Sequence, residues 1–370
     1  MRIFLGQTFL VAGLTMLSLL YPISIYNTTH STELLGISIT LNNIALGIGS
    51  YIWGLILDKT RERYFFSLLL PMSGLVISFI IFKTSLGILG YTILGFFTAL
   101  DSPLYSILLL EQFTQEMVVI GNSRLSQLSL AGNVIGSIIG AIFPQFKVAI
   151  TFFIISLVFN AVFIPRYKGE IREDKMERIR EFKELIEPLL SFSLFNLSAE
   201  IFYVMYIPLL TIFELPSWVY FFSYTILYVL DEYAYYKAPT LIKDNEVYYG
   251  FLVIILRSVI VAILGLLVFF KLNISYAIIF VFQLFGSSYA IYSTSFFSVM
   301  FKNLSKNRGA IIGLFNAGEN FASAGGSILS SFVNPTSLTQ AYFISFFGFS
   351  LSFFLFYDFL SKKGKVVSSS

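Results

Sequence analysis

The sequence predicts an all-α membrane protein with twelve transmembrane helices in two pseudo-symmetric bundles of six. Three observations predict it. The first is composition: of 370 residues, 56% are hydrophobic and only 12% charged, and the mean hydropathy is +0.81. Soluble domains carry about 25% charged residues, so this chain lacks the charge to cover a water-facing surface. The second is a succession of apolar stretches, each long enough to cross about 30 Å of hydrocarbon as a helix. The third is the way cations fall between those stretches.

Taken in order, the apolar stretches lie near 4–26, 33–57, 64–82, 86–110, 122–143 and 148–165, then 188–212, 216–236, 248–270, 273–300, 309–332 and 337–359. The first lacks a small-residue cleavage site and is long enough to span, so it reads as a transmembrane helix rather than a signal peptide. Alternation then assigns sides. One side receives Arg2, Lys59, Arg61, Arg63, Arg124, all the cations of 166–187, Lys237, Lys243, Lys302, Lys306, Arg308, Lys362, Lys363 and Lys365. The other receives Lys83, Lys147 and Lys271, and Arg257 falls inside a span. Lys and Arg concentrate in cytoplasmic loops, which predicts a multi-pass protein of the cell membrane with both termini in the cytoplasm.

The one long connection, 166–187, carries Ile171, Ile179, Phe182, Leu185 and Ile186 at helical spacing, with Asp174–Arg178, Arg180–Glu184 and Lys183–Glu187 as i,i+4 pairs. It predicts an amphipathic helix at the cytoplasmic interface. The expected organisation is a six-helix bundle over 1–165, this linker over 166–187, a second bundle over 188–360 and a tail over 361–370.

Displacing the chain by 186 residues supports a duplication. Pro22 meets Pro208; Leu55, Ile56 and Asp58 meet Leu241, Ile242 and Asp244. Ala131, Gly132, Ser137 and Gly140 meet Ala317, Gly318, Ser323 and Gly326. Parallel six-helix repeats are a transporter architecture, with the substrate site between them near the midplane.

Between the second and third spans, "GLILDKTRERY" gathers Asp58, Lys59, Arg61, Glu62 and Arg63. Twelve spans in two sixes with a charged loop at this point resemble the major facilitator superfamily of secondary transporters. That family's loop runs roughly Gly-x-Leu-x-Asp-Arg-x-Gly-Arg-Arg; Gly54, Ile56, Asp58, Lys59 and Arg63 match or are conservative, whereas Arg61 replaces glycine and Glu62 a basic residue. The resemblance implies a cytoplasmic latch of charges that includes Gly54, Asp58, Arg61 and Arg63, with Asp244 its repeat counterpart. The competing reading is that Lys59, Arg61 and Arg63 only set topology. In the fifth span, "AGNVIGSIIGAIF" keeps Gly132, Gly136 and Gly140 of the family's antiporter pattern but has Ser137 for proline and Ala141 for glycine. These glycines, with Gly318 in the repeat, also suit simple helix packing. The arginine often found in span four is replaced by Tyr91.

A charged group at the bilayer centre costs about 2.5–3.5 kcal/mol on insertion scales, so Asp101, Glu200, Arg257 and Glu319 call for a role or a partner. Glu319, mid-helix among small residues in "FNAGENFASAGG", is the leading candidate for coupling substrate movement to protons, helped by Asp101 or Glu200. The alternatives are a permanently ionised carboxylate that holds a cationic substrate, or a buried hydrogen bond to Asn133 or another polar neighbour. By resemblance Asp101, Glu200 and Glu319 lie on cavity-lining spans. Arg257 lies on a peripheral one, where it would pair with a neighbour or snorkel. Asp231 and Glu232 sit nearer the cytoplasmic end of their span and are expected to be wet. Tyr203, Tyr206, Tyr224, Tyr228, Tyr289 and Tyr292, with Asn196 and Gln283, are either cavity lining or packing.

The chain has no cysteine and one histidine, His30, and neither H-E-x-x-H nor a Gly-x-x-x-x-Gly-Lys-Ser/Thr loop. Thiolate, multi-histidine and ATP-driven chemistry are therefore not expected, nor are catalytic residues, a metal, a cofactor or a nucleic-acid partner. The expected partners are a small-molecule substrate, protons or another coupling ion, and the bilayer, around a monomer. The expected function is alternating-access transport, leaning to export of amphipathic or cationic compounds. Ion-coupled uptake of a sugar, organic acid or other nutrient is the alternative, and a membrane receptor or scaffold is the reading from another class.

Overall fold

The computed structural model describes residues 2–82, 86–101, 104–105, 108, 115–163, 182–243, 245–303, 308–333 and 338–362. These described residues hold twelve α-helices and no strand. They are α1 (Arg2–Thr29), α2 (Thr32–Lys59), α3 (Arg63–Phe82), α4 (Gly87–Thr98), α5 (Gln115–Ile142), α6 (Phe146–Phe163), α7 (Phe182–Ile212), α8 (Trp218–Leu241), α9 (Glu246–Phe269), α10 (Ala277–Asn303), α11 (Arg308–Ser331) and α12 (Leu338–Lys362). By length and composition, seven of them (α1, α2, α6, α7, α9, α10 and α12) can cross a membrane.

Two boundaries differ from the sequence expectation. The fourth helix is interrupted at Ala99–Leu100, where the Leu100 amide turns back to the Phe97 carbonyl at 3.2 Å, a tighter turn than the α-helix makes. Beyond this turn the described residues 101, 104, 105 and 108 are helical again. The seventh helix begins at Phe182, ahead of the expected 188, and runs through Pro188 because Leu185 is fully buried and holds the first turns against the core. The rest of the expected interfacial helix, and the tail from 363 on, lie outside the described residues.

The chain divides into two compact units. Unit 1 is 1–28, 41–175 and 216–229; unit 2 is 29–40, 176–215 and 230–370.

In unit 1, α1 is the most thoroughly covered helix. Phe9 stacks on Phe159 of α6 at 4.8 Å and Tyr21 on Tyr91 of α4 at 4.5 Å. Gly132 and Gly136 of α5 lie on the α1 backbone. A Cβ at Gly132 would come 2.5 Å from the Thr8 carbonyl oxygen, and one at Gly136 would overlap that of Ala12. Trp53 donates its indole N–H to the Phe96 carbonyl at 2.7 Å, and Asn42 its amide to Tyr91 O at 2.8 Å, tying α2 to α4.

In unit 2, α7 is central, packed by α11 and α12. Small hydroxyl residues let these helices approach and then bond across the seam. Ser191 and Ser352 each donate to the other's carbonyl at 2.8 Å, and Ser345 donates to Ser198 O at 2.7 Å. Gly326 lies so near the Leu197 carbonyl that a Cβ there would overlap it.

Among the described residues, four that are not glycine have left-handed backbones: His30, Glu214, Lys271 and Ser275, with φ from 46° to 56°. Lys271 closes α9: Leu272 N reaches back to Leu267 O at 2.8 Å and Lys271 N to Val268 O at 3.1 Å. Helices commonly end this way with glycine. Here a side chain occupies the position at a cost of about 1–2 kcal/mol.

Candidate functional site

The polar interior of unit 2 is built by α7, α8, α9, α10 and α11. Glu319 stands at the middle of α11, and Tyr289 of α10 donates its hydroxyl to Glu319 Oε1 at 2.8 Å. Among the described residues no Lys or Arg nitrogen lies within ion-pair distance of Glu319; the ion pairs found there are those of Lys362 with Glu187 and Asp358 at the chain's end. A second carboxylate, Glu200 on α7, accepts from Ser327 Oγ at 2.9 Å. The close approach of α11 at Gly326 makes this contact: a Cβ added there would also meet Glu200 Cβ at 2.8 Å.

Of the two roles expected for Arg257, the structure has the first: it does not snorkel but is fully buried inside the unit, paired with its neighbours. Its Nε donates to Ser288 Oγ at 3.0 Å and its Nη2 to Gly286 O at 3.1 Å. The guanidinium carbon lies 4.3 Å from the Phe285 ring centroid, 4.8 Å from that of Phe195 and 5.6 Å from that of Tyr289. Guanidinium is weakly hydrated and stacks on aromatic faces, which is why an arginine tolerates a place that a lysine would not. Its Nη1 is buried with no hydrogen-bond partner among the described residues.

Asp231 of α8 departs from expectation. It is half-buried rather than wet, its Oδ1 is buried without a hydrogen-bond partner among the described residues, and its charge is felt by Arg257 though the two are not in ion-pair contact. Tyr289 thus touches both the cation's face and the Glu319 carboxylate. The aromatic residues singled out in the sequence divide: Tyr206 and Tyr292 are fully buried packing, with Tyr292 stacked on Phe195 at 3.6 Å, whereas Tyr289 is the one joined to a carboxylate.

In unit 1, Asp101 follows the tight turn that ends α4, and its Oδ2 accepts from Gln7 Nε2 of α1 at 3.3 Å. Tyr105 donates to Asn160 Oδ1 of α6 at 2.7 Å. Thr98, Asp101 and Asn160 border a small cavity whose remaining lining is apolar, among it Leu10, Leu94 and Phe153. Asn133 accepts from Thr15 Oγ1 at 2.6 Å, so its bond ties α5 to α1. Gly140 lies beside the Phe221 ring, where a Cβ would meet Cε1 at 2.7 Å; a Cβ at Gly318, in unit 2, would meet Leu189 Cδ1 at 2.8 Å.

Of the expected latch, Arg61 is exposed and a Cβ at Gly54 would meet nothing within 4 Å among the described residues. The side chains of Asp58 and Arg63, and residue Asp244, lie outside the described residues. Sequence reading missed Gln7, Tyr105 and Asn160. The available signal was an amide side chain inside an apolar span, which costs nearly as much to leave unpaired as a hydroxyl.

A family model of the Major Facilitator Superfamily matches residues 3–327. Among solved structures, the chain is similar to a bacterial homologue of the iron transporter ferroportin in its inward-facing state, at 14% identity and a TM-score of 0.74, covering 97% of this chain and 98% of that one. The nucleoside transporter NupG, solved as a point mutant, is similar at 11% identity and a TM-score of 0.75, over 97% and 98%. The human organic anion transporter MFSD10 is similar at 14% and 0.64, over 96% and 98%. No curated protein sequence matches the chain.

Proposed function

The chain belongs to the major facilitator superfamily, and from that premise we propose that it is a secondary active transporter in which Glu319 couples the passage of a small amphipathic solute to proton movement by alternating access. The observation that carries this reading is the setting of Glu319: mid-helix, with a tyrosine hydroxyl rather than a cation against its Oε1. Desolvation disfavours the charged form of a carboxylate and a nearby cation restores it. With no cation in ion-pair reach among the described residues, the proton is the natural counter-charge, taken up and released as the site faces different waters. One charge crossing 100 mV is worth about 2.3 kcal/mol, enough to bias the cycle.

The direction we propose is export, supported by the resemblance of Gly132, Gly136 and Gly140 to the family's antiporter pattern, from a cell membrane with both chain termini in the cytoplasm. Purified protein in liposomes with an imposed pH gradient tests the coupling. Gradient-driven flux of a candidate solute should vanish in Glu319→Gln while gradient-free exchange of the same solute persists. Gradient-driven flux equal to the parent's would remove Glu319 from the mechanism.

A second reading has one observation in its favour. Arg257 is a permanent buried cation with a donor to spare, which suits uptake of an organic acid instead. Export and uptake separate in the same liposomes by the sidedness of the flux.

A further inference from the structure

Gln7 of α1 and Asp101 meet through one atom of each side chain. Gln7, which is 5% exposed, donates its Nε2 to Asp101 Oδ2 at 3.3 Å. The second atom of each is left over: Gln7 Oε1 and Asp101 Oδ1 are both buried, and neither has a hydrogen-bond partner among the described residues. Two acceptors do not satisfy one another, and a buried acceptor left unmatched is costly.

The surroundings do not compensate a charge. Apart from Thr98 and Asn160, the lining of the small cavity beside Asp101 is apolar. Thr98 donates its hydroxyl to Gly95 O of its own helix, and the Asn160 side-chain oxygen accepts from Tyr105. Tyr105 is close enough to feel the Asp101 charge, yet its hydroxyl goes to Asn160 and not to the carboxylate. The group that α1 brings against Asp101 is the neutral Gln7 amide, and the ion pairs found among the described residues are those of Lys362 at the chain's end. A carboxylate desolvated without a cation takes up a proton instead. That proton also completes the hydrogen bonding. A carboxylic acid has one O–H to donate and keeps its other oxygen as an acceptor, which is the complement of an amide. Asp101 Oδ1–H then has Gln7 Oε1 to donate to, while Gln7 Nε2 keeps its bond to Oδ2. A water in the cavity would donate to Oδ1 but leave the charge among leucine and phenylalanine.

We infer that Asp101 is a proton-binding site of unit 1, held as a neutral carboxylic acid in a two-bond pair with the Gln7 amide. The site stands on unit 1 alone and does not require the assignment to Glu319; it gives the chain a second place to load a proton.

Infrared spectroscopy of the purified full-length protein in detergent at neutral pH tests this without any transport step. Exposed carboxyl groups are ionised at that pH, so the carbonyl stretch of a protonated carboxyl reports buried acids alone. Isotopic labelling of the aspartate side-chain carboxyl separates aspartate from glutamate, Glu319 included. The expected result is a protonated-aspartate band that is lost in Asp101→Asn and kept at full intensity in Glu319→Gln. Gln7→Leu, which keeps the acid and removes its partner, should move the band to higher frequency as the carbonyl loses its hydrogen bond. Melting curves identify folded preparations, and the Gln7→Leu shift decides by itself if Asp101→Asn fails to fold. Absence of a protonated-aspartate band, a band untouched by Asp101→Asn, or an unchanged band position in folded Gln7→Leu would overturn the assignment.

Discussion

Two glycines of the expected motifs should respond in opposite ways to the same substitution. Gly132 faces the α1 backbone, and a Cβ there would sit 2.5 Å from the Thr8 carbonyl oxygen and 3.0 Å from Val11 Cβ. A carbonyl oxygen in a helix cannot swing aside. Restoring an ordinary C···O separation of about 3.3 Å requires α5 to retreat by about 0.8 Å from α1. A gap of that size forfeits a quarter to a half of the dispersion well at neighbouring contacts, and overpacking of this kind costs about 1–3 kcal/mol. Alanine recovers at most about 1 kcal/mol of helix propensity over glycine, so Gly132→Ala should be destabilising by about 1–2 kcal/mol. At Gly54 nothing lies within 4 Å of the added Cβ, so only the propensity gain remains, and Gly54→Ala should be neutral to stabilising by up to about 1 kcal/mol. Thermal or denaturant unfolding of the purified variants in one detergent, followed by tryptophan fluorescence, measures both. A Gly132→Ala protein as stable as its parent would refute the reasoning from close approach. A destabilised Gly54→Ala protein would show that this helical glycine answers to something other than steric space.

Other outcomes follow from the same geometry. Tyr289→Phe keeps the ring against Arg257 but deletes the hydroxyl on Glu319; removing a hydrogen bond to a charged group, about 1.5–3 kcal/mol, should slow gradient-driven flux by roughly tenfold or more and leave gradient-free exchange close to the parent's. Lys271→Gly relieves a left-handed backbone at the end of α9 and should raise stability by about 1 kcal/mol in an unfolding titration; a lower midpoint would mean that the lysine side chain has a compensating partner. Ser191→Ala and Ser352→Ala, each removing one hydroxyl bond to the other helix's carbonyl, should each lower stability by about 0.6 kcal/mol, the mean for interhelical bonds in a membrane protein, and an unchanged midpoint in both would argue against the reciprocal pair. Asp58→Asn tests the expected latch: labelling of introduced cytoplasmic-side cysteines should become faster, and an unchanged rate would leave Lys59, Arg61 and Arg63 as topology determinants alone.

The features legible in the sequence were those that depend on one residue and its solvent. Helix number follows from apolar length because the bilayer sets a minimum span. A carboxylate inside such a span, as at Glu319, is conspicuous because its cost is local. Partners are a different matter. Nothing in the spacing of α9 told that Arg257 turns inward onto Phe195, Phe285 and Tyr289, since its neighbours come from α7 and α10, far along the chain. Gln7 and Asp101 are 94 residues apart, and neither announces the other; their hydrogen bond exists only once the two segments are side by side.

Composition and charge order therefore determined that this chain crosses a membrane many times, because hydrophobic burial and the cost of a stranded charge are properties of each segment by itself. Which polar groups face one another, and whether an acid meets a hydroxyl, an amide or a cation, was decided by helix packing. Small residues such as Gly132 and Gly326 set how closely the helices approach, and a hydrogen bond depends on that approach to within a fraction of an ångström.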